Sequence, residues 1–531
     1  MNIIVAENPR VSSFCEKGMR ESVDPNVIYN YLADESRIVI GRAQKVIFPK
    51  CEAQISEVLR RANEENILIT VSGGGTGITG SRVPLDGIVL STEELTEVET
   101  KNENEELIEY FESGIKYSIA VGKDENGFYA RAPPGIPLMI FKRMVENRDL
   151  FYPPDPTELS AFLGGTVATN ASGSMTFYYG STRNFVRRLR IVLTNGEVLD
   201  IRRGRIFADN YKFIIITGGE NIEIEIPHYI MPNVEKNAAG LYAKPGMDLI
   251  DLFIGSEGIL GVISEVEVRL IQKPKFVYTF FIHFSDESEA IRLSRTLKNV
   301  ARKKELKILA IEFFDKNSVE FIREKYSSNI PSNSNAIIDI LIDATEDTDN
   351  TLNKLAEILN KHNVLEALMM DTRDAKEIRH ALPESINEFV RLRSVHKVAT
   401  DIAVPDEYFN EMIHWYYKIG KESKIKYVIF GHIGNNHLHF NFLPSNEDEL
   451  KTAMKLVTTL LRKAIELKGT ISAEHGVGKK YYLKNNQKRP FLELMYGHEG
   501  LIQIAKLKHT LDPKHILNIG NIVPMEYLTK I

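Results

Sequence analysis

The chain has 531 residues, 43% hydrophobic and 26% charged, with 66 Lys and Arg against 72 Asp and Glu for a net charge of −6. That composition excludes disordered, collagen-like and membrane-embedded chains, and the length allows two to four structural units with ample core. A slightly acidic balance without a basic block gives no electrostatic reason to expect nucleic acid as a partner.

At the amino terminus, MNIIVAENPRVSSF carries Glu7 and Arg10 too early to leave the apolar core of a signal segment. The longest apolar stretches, such as FIIIT at 213–217, are strand-length and fall far short of the roughly 20 residues of a spanning helix. The protein therefore reads as cytoplasmic, or docked peripherally on a membrane through a partner. Cys15 and Cys51 make no disulfide framework by number, which favours a reducing compartment.

Residues 41–70 read as strand, helix, strand: RIVIGRAQKVIFPK is strand-like, AQISEVLRRANEEN places Ile55, Val58, Leu59 and Ala62 at helical spacing, and ILITVS is a buried β run. After a glycine cluster at 73–80, LIEYFES and SIAVG read as strands and PLMIFKRMV as a helix. Residues 151–182 are dense in Gly, Pro, Ser, Thr and Asn. RLRIVLTNGEVLDI at 188–201 is a hairpin around Asn195-Gly196, and GSEGILGVISEVEVRL runs from a glycine turn into an alternating strand. Past Lys273-Pro274 the pattern changes. VYTFFIHF, ESEAIRLSRTLKNVARKK, KILAIEFFD and AIIDILIDA alternate strands with amphipathic helices, as in an α+β domain with an antiparallel sheet, and SSNIPSNSN at 327–335 is a polar loop inside it.

Gly75-Thr76-Gly77-Ile78-Thr79-Gly80 fits G-x-G-x-x-G, but a dinucleotide fingerprint needs a helix opening at its third glycine. Pro84, Asp86-Gly87 and the β run GIVLS leave no room for one. Consecutive glycines instead let backbone amides converge on an anion as a nest. Alone, such a cluster is more often a tight structural loop.

Two further segments accompany it, PPDPTELSAFLGGTVATNASG at 153–173 and GSEGILGVI at 255–263. The three in this order resemble the FAD-binding domain of the vanillyl-alcohol oxidase / p-cresol methylhydroxylase superfamily. The resemblance implies an α+β chain: an N-terminal segment (1–40), a two-subdomain FAD-binding fold (41–272), a substrate cap with an antiparallel sheet (273–510) and a return to the flavin (511–531). It also implies that Gly73, Gly74, Gly75, Thr76, Gly77, Gly80 and Ser81 hold the pyrophosphate. Pro154, Asp155, Gly165, Thr166, Thr169, Asn170 and Gly173 would lie along the FAD, with Glu257, Gly261 and Ile263 on its far side. No histidine lies in residues 1–227, which excludes histidyl attachment from these segments, and neither cysteine falls in a flavin-facing motif. Non-covalent FAD is the expectation.

YVIFGHIGNNHLHFNFLP at 427–444 reads as strand, tight turn, strand, with Leu438, Phe440 and Phe442 on one face and His437, His439 and Asn441 on the other. His432 sits at the turn, and ISAEHGVGKKY at 471–481 offers Glu474 beside His475. Two imidazoles and a carboxylate suit a divalent metal with open positions, although a histidine pair on a strand is more often structural. G-H-x-G-x-x-x-L-H-x-N followed by E-H-G resembles the carboxy-terminal domain of the FAD-linked D-2-hydroxy-acid dehydrogenases, a group that includes D-lactate and D-2-hydroxyglutarate dehydrogenases and the FAD subunit of glycolate oxidase.

By that resemblance His432, His439 and Glu474 are metal ligands (Zn, Mn or Fe), His475 is the catalytic base and Asn441 contacts substrate. Arg379 and Lys397 would bind the substrate carboxylate, and Asn521 would sit near the flavin ring. Asn435, Asn436 and His437 replace the usual Asp, Gly and Asn, which leaves His437 open as an extra ligand or a substrate contact. A metal on the substrate hydroxyl lowers its pKa, an imidazole of ordinary pKa about 6.5 takes the proton, and hydride passes to the flavin. The implied reaction turns a D-2-hydroxy acid into the 2-oxo acid, with electrons passed to a quinone, cytochrome, electron-transfer flavoprotein or iron–sulfur partner, and a homodimer is among the assemblies allowed. The competing readings are a non-redox flavoenzyme resembling alkylglycerone-phosphate synthase and a non-catalytic flavoprotein subunit.

Overall fold

A computed structural model describes residues 3–101, 103–326, 330–484 and 487–531; residues 327–329 of the polar loop at 327–335 lie outside the described residues. Mixed helices and mainly antiparallel sheets make it an α+β fold.

The first sheet has four strands in the order Arg20–Ser22, Lys45–Phe48, Ile88–Ser91, Ile69–Ser72, the last three parallel. Helix Glu52–Glu65 crosses between two of them, burying Ile55, Val58, Leu59 and Ala62 and stopping at Asn66, which turns left-handed. The strand expected over 41–50 is only Lys45–Phe48. Arg42 and Gln44 donate their amides to Pro84 and Gly87 instead, and Pro84 has no N–H to return the bond. No helix follows the glycine cluster at 73–80, in agreement with the rejection of a dinucleotide fingerprint.

The second sheet is a six-stranded antiparallel one, in the order Val198–Arg202, Val186–Val192, Val262–Arg269, Gly127–Ala132, Ile115–Asp124, Glu105–Glu112. The Asn195-Gly196 hairpin forms as expected, with Gly196 at φ +87. A small sheet joins Ile3–Val5 to Lys212–Thr217 and Glu220–Glu225.

Cys15 and Cys51 are disulfide-bonded, which ties the amino-terminal segment to the start of helix Glu52–Glu65. Their number gives no hint of this, and a separation of 36 residues carries no pairing signal.

The third large sheet runs Glu366–Met370, Val277–Phe284, Ala336–Asp343, Ile308–Phe314, Tyr427–Gly431, His437–Phe442, Val398–Ala399, antiparallel throughout, with Ile402–Ala403 also pairing His437–Phe442. Helices Glu287–Arg302, Lys316–Lys325 and Thr372–Arg391 pack on it through apolar stripes. The carboxy-terminal segment returns to the first sheet, where Leu517 bridges Ile69 and Asn518 accepts the amide of Val71. No helix among the described residues is long and apolar enough to cross a membrane.

Candidate active site

Strand Tyr427–Gly431 ends at Gly431, whose φ of +120 and 2.9 Å clearance to His439 admit no side chain. His432 follows, one turn of 3-10 helix spans Ile433–Asn435, and Asn436 in the left-handed region feeds strand His437–Phe442. The turn brings His432 back over its partner strand, with ring centroids 5.6 Å from His439 and 5.3 Å from His437. The two asparagines that depart from the family pattern are anchors: Asn435 donates to Glu235, while Asn436 donates to Asp406 at 2.7 Å and accepts from Lys298.

Loop 472–480 brings Glu474 to this hairpin. Its carboxylate lies 3.2 Å from His432 Nε2, 3.9 Å from His437 Nδ1 and 3.8 Å from His439 Nε2. One donor atom from each of the four residues falls within 4.8 Å of every other. Burial works against the Glu474 charge, yet His432, Lys236 and His437 hold its pKa well below the carboxylate range. Burial drives His439 well below the usual imidazole value, which keeps it neutral as a ligand must be. Burial would also lower His432, but Glu312 and Glu474 raise it to about 9. Glu312 lies 2.7 Å from His432 Nδ1 and so turns Nε2 toward Glu474, the arrangement by which a carboxylate orients a ligating imidazole.

His475 sits 5.7 Å from His439, ring to ring. Its backbone amide and its Nδ1 each lie 3.0 Å from Asp401 Oδ2, and its side chain is 32% exposed, so the ring is anchored at one nitrogen and open at the other. Asp401 is buried, takes Ser472 Oγ at 2.8 Å, and also faces His437 Nε2 at 2.9 Å. Burial opposes its charge, but the two histidines hold its pKa far below the ordinary range. Lys236 is a second unanticipated member. Its ammonium is fully buried, 2.5 Å from Glu474 Oε1 and 2.8 Å from the carbonyl of Gly173.

Arg379 is partly buried with Nε 3.3 Å from Asp339, and it lies in the field of Asp339, Glu312 and Asp155. Lys397 has no carboxylate partner among the described residues and burial lowers its pKa. Register pairs Ala399 with Asn441, so alternation puts Lys397, Ala399 and Asp401 on the face shared by Asn441, His439 and His437. Asn441 is buried and gives a 3.4 Å bond to the carbonyl of His439.

The glycine segments meet loop 472–480, where Gly478 stands against Thr79 and Gly476 against Glu257. Gly73 approaches Gly165, the spaces beside Gly77 and Gly165 are open, and a cavity of about 290 Å³ lined by Gly73, Gly74, Arg82, Tyr31 and Phe162 adjoins them, apart from the histidines. That exposed glycine backbone fits a diphosphate. Several residues expected along the FAD bond within the protein through their polar side chains. Asp155 pairs with Lys142 and Lys376, Thr166 and Thr169 donate to Leu163 and Gly165, and Asn170 accepts from Ser181 and Arg183. Gly261 stands against Ile191 and Val192, and Ile263 pairs Ile191 on the six-stranded sheet.

Glu257 is a joint: its carboxylate accepts the amides of Val477 and Gly478 at 2.7 and 2.8 Å. Asn521 accepts from Lys479 at 2.6 Å and donates to Ser81 and Glu257 carbonyls, and Lys479, lowered to about 7 by burial, also reaches Gly80 and Ser81. The loop that carries Glu474 and His475 is thus bonded into the glycine segments.

Comparison with known proteins agrees. Residues 43–202 match a FAD binding domain and residues 273–522 match the C-terminal domain of FAD linked oxidases. The chain is 28% identical to the glycolate oxidase subunit GlcD of Bacillus subtilis (strain 168), over 93% of this chain and 92% of that protein. It is 25% identical to a D-lactate dehydrogenase of Anaerostipes hadrus, over 95% and 94% of the two chains. With the mitochondrial D-2-hydroxyglutarate dehydrogenase of Rattus norvegicus it shares 27% identity over 98% and 85%. A solved alkyldihydroxyacetonephosphate synthase has the same fold, with a TM-score of 0.63 at 16% identity, covering 96% of this chain and 86% of that one.

Proposed function

Because the chain is an FAD-dependent oxidoreductase of the FAD-linked oxidase family, we propose that it oxidises a D-2-hydroxy acid of the lactate, glycolate or 2-hydroxyglutarate kind to the 2-oxo acid and passes the electrons to an external acceptor. One observation carries the reading: His475, held at Nδ1 by Asp401, stands beside a buried three-histidine, one-carboxylate cluster on a loop bonded into the glycine segments.

The donor set suits a divalent ion, and Nδ1 of buried His437 has no hydrogen-bond partner among the described residues, as expected of a nitrogen that a metal completes. His432, His439 and Glu474 would hold the ion, which when bound supplies Lewis acidity to the substrate hydroxyl and carboxylate. Residues 73–81 would hold non-covalent FAD, which when bound supplies the hydride acceptor.

The protein's own groups do the rest. Asp401 fixes the His475 ring so that Nε2 is the nitrogen that takes the hydroxyl proton. Lys397, on the face of Asn441 and without a carboxylate partner among the described residues, is the cation best placed for the substrate carboxylate. Arg379 already faces Asp339, so it acts more through the Asp339–Glu312 pair behind His432.

The test is an anaerobic screen of D- and L-2-hydroxy acids against the purified flavoprotein. Bleaching of the flavin by a D acid, lost after chelation, is expected. A flavin that no 2-hydroxy acid reduces would overturn the proposal, and activity on an acyl-glycerone phosphate would replace it.

A further inference from the structure

We infer that His437 is a fourth protein ligand, so that the site is built for a six-coordinate ion of the manganese, iron or cobalt kind and not for tetrahedral zinc. The inference rests on the metal role proposed above for His432, His439 and Glu474.

His437 is 0% exposed, whereas the side chains of His439 and His475 are 15% and 32% exposed. A substrate arriving from solvent meets those two first, which argues against His437 as a substrate contact. Its Nδ1 is buried with no hydrogen-bond partner among the described residues, and leaving such a group unsatisfied costs about 1–3 kcal/mol. The two nitrogens face different partners. Nε2 is 2.9 Å from Asp401 Oδ1, and Nδ1 looks inward, 3.9 Å from Glu474 Oε1. A carboxylate behind one nitrogen keeps the proton there and leaves the lone pair on the other, as Glu312 does for His432.

Donors each about 2.1 Å from one ion stand roughly 3–4 Å apart; His432 Nε2 and His437 Nδ1 lie 3.2 and 3.9 Å from Glu474 Oε1, and His439 Nε2 lies 3.8 Å from its Oε2. Lys236, 2.5 Å from Oε1, disfavours two-oxygen binding by Glu474. The protein then supplies four donors. On zinc, four protein donors make a closed site. On a six-coordinate ion they leave two positions, the number that the hydroxyl and carboxylate of one 2-hydroxy acid fill by chelation.

Flavin-loaded protein, stripped of metal by a chelator and reloaded with cobalt(II), tests this. Six-coordinate cobalt absorbs weakly in the visible and four-coordinate cobalt strongly, to the red of the flavin bands. Wild type should take up one equivalent with only weak bands, and His437→Asn should bind cobalt at least about tenfold more weakly while keeping its flavin. Intense four-coordinate bands, or equal affinity in the variant, would overturn the inference with the metal proposal intact. No uptake by wild type would overturn both. Should His437→Asn not fold, a structure of the cobalt-loaded wild type decides: His437 Nδ1 at about 2.1 Å from the ion supports the inference, and a water in its place removes it.

Discussion

Asp401 Oδ2 stands 3.0 Å from His475 Nδ1, and its other oxygen stands 2.9 Å from His437 Nε2. One buried carboxylate therefore sets the orientation of both the proposed base and the innermost imidazole of the cluster. Asp401→Ala should slow anaerobic flavin reduction roughly 10- to 100-fold, the usual cost of losing such an orienting group. His475→Ala should keep its flavin and abolish reduction by the substrate. Stopped-flow absorbance at the flavin maximum reads both, and undiminished reduction in His475→Ala would remove the base assignment.

Lys236 is the only cation with its ammonium placed on Glu474 among the described residues, and it is fully buried. Removing one partner of a buried pair leaves the other uncompensated, typically at a cost of about 3–5 kcal/mol. Lys236→Met should lower the melting temperature of metal-free protein markedly, and added metal should recover part of the loss by compensating Glu474. A melting temperature unchanged from wild type would show that the pair carries no such weight.

The Glu257 carboxylate joins the catalytic loop to the glycine segments through the amides of Val477 and Gly478. Glu257→Ala orphans two buried N–H groups, each at about 1–3 kcal/mol, and frees the loop that carries Glu474 and His475. Reduced stability and slowed flavin reduction should appear together, with Glu257→Gln, which keeps one acceptor, intermediate in both. Loss of stability without loss of rate would mean that the loop holds its place by other contacts.

Period and turn chemistry made much of this legible before any coordinates. The alternation of His437, His439 and Asn441, the turn at His432 and the Glu474-His475 pair are all local patterns, and the structure brings them together. Glu312 had a signal too, a lone carboxylate within the buried strand Ile308–Phe314. Lys236 and the pairing of Cys15 with Cys51 had none, because each depends on contacts between segments distant in sequence. Asp401 lies in a segment where only Lys397 carries a sequence signal. Its role needs the parallel bridge to Ser472, which sequence spacing does not reveal.

Glu265 gives the fold an acid-sensitive joint far from the histidines. It takes Lys101 at 2.5 Å, Arg131 at 2.9 Å and Arg188 at 2.8 Å on the six-stranded sheet. Burial raises its pKa, but these three cations outweigh burial and bring it from the ordinary 4.5 to about 2. A depressed carboxylate contributes stability that is whole above its unfolded value and disappears as pH falls through its folded one. The loss therefore falls between about pH 4.5 and pH 2, and it is on the order of 3 kcal/mol from this group. Asp200, brought from the ordinary 3.8 to about 2 by Arg188 and Arg190 against its own burial, adds to it in the lower part of that window. Urea unfolding at pH 6, 4 and 3 should show a steep decline in wild type. Glu265→Gln should be less stable at pH 6, since it leaves three cations short of a partner, yet decline less between pH 6 and pH 3. Parallel declines in the two proteins would place the acid sensitivity elsewhere.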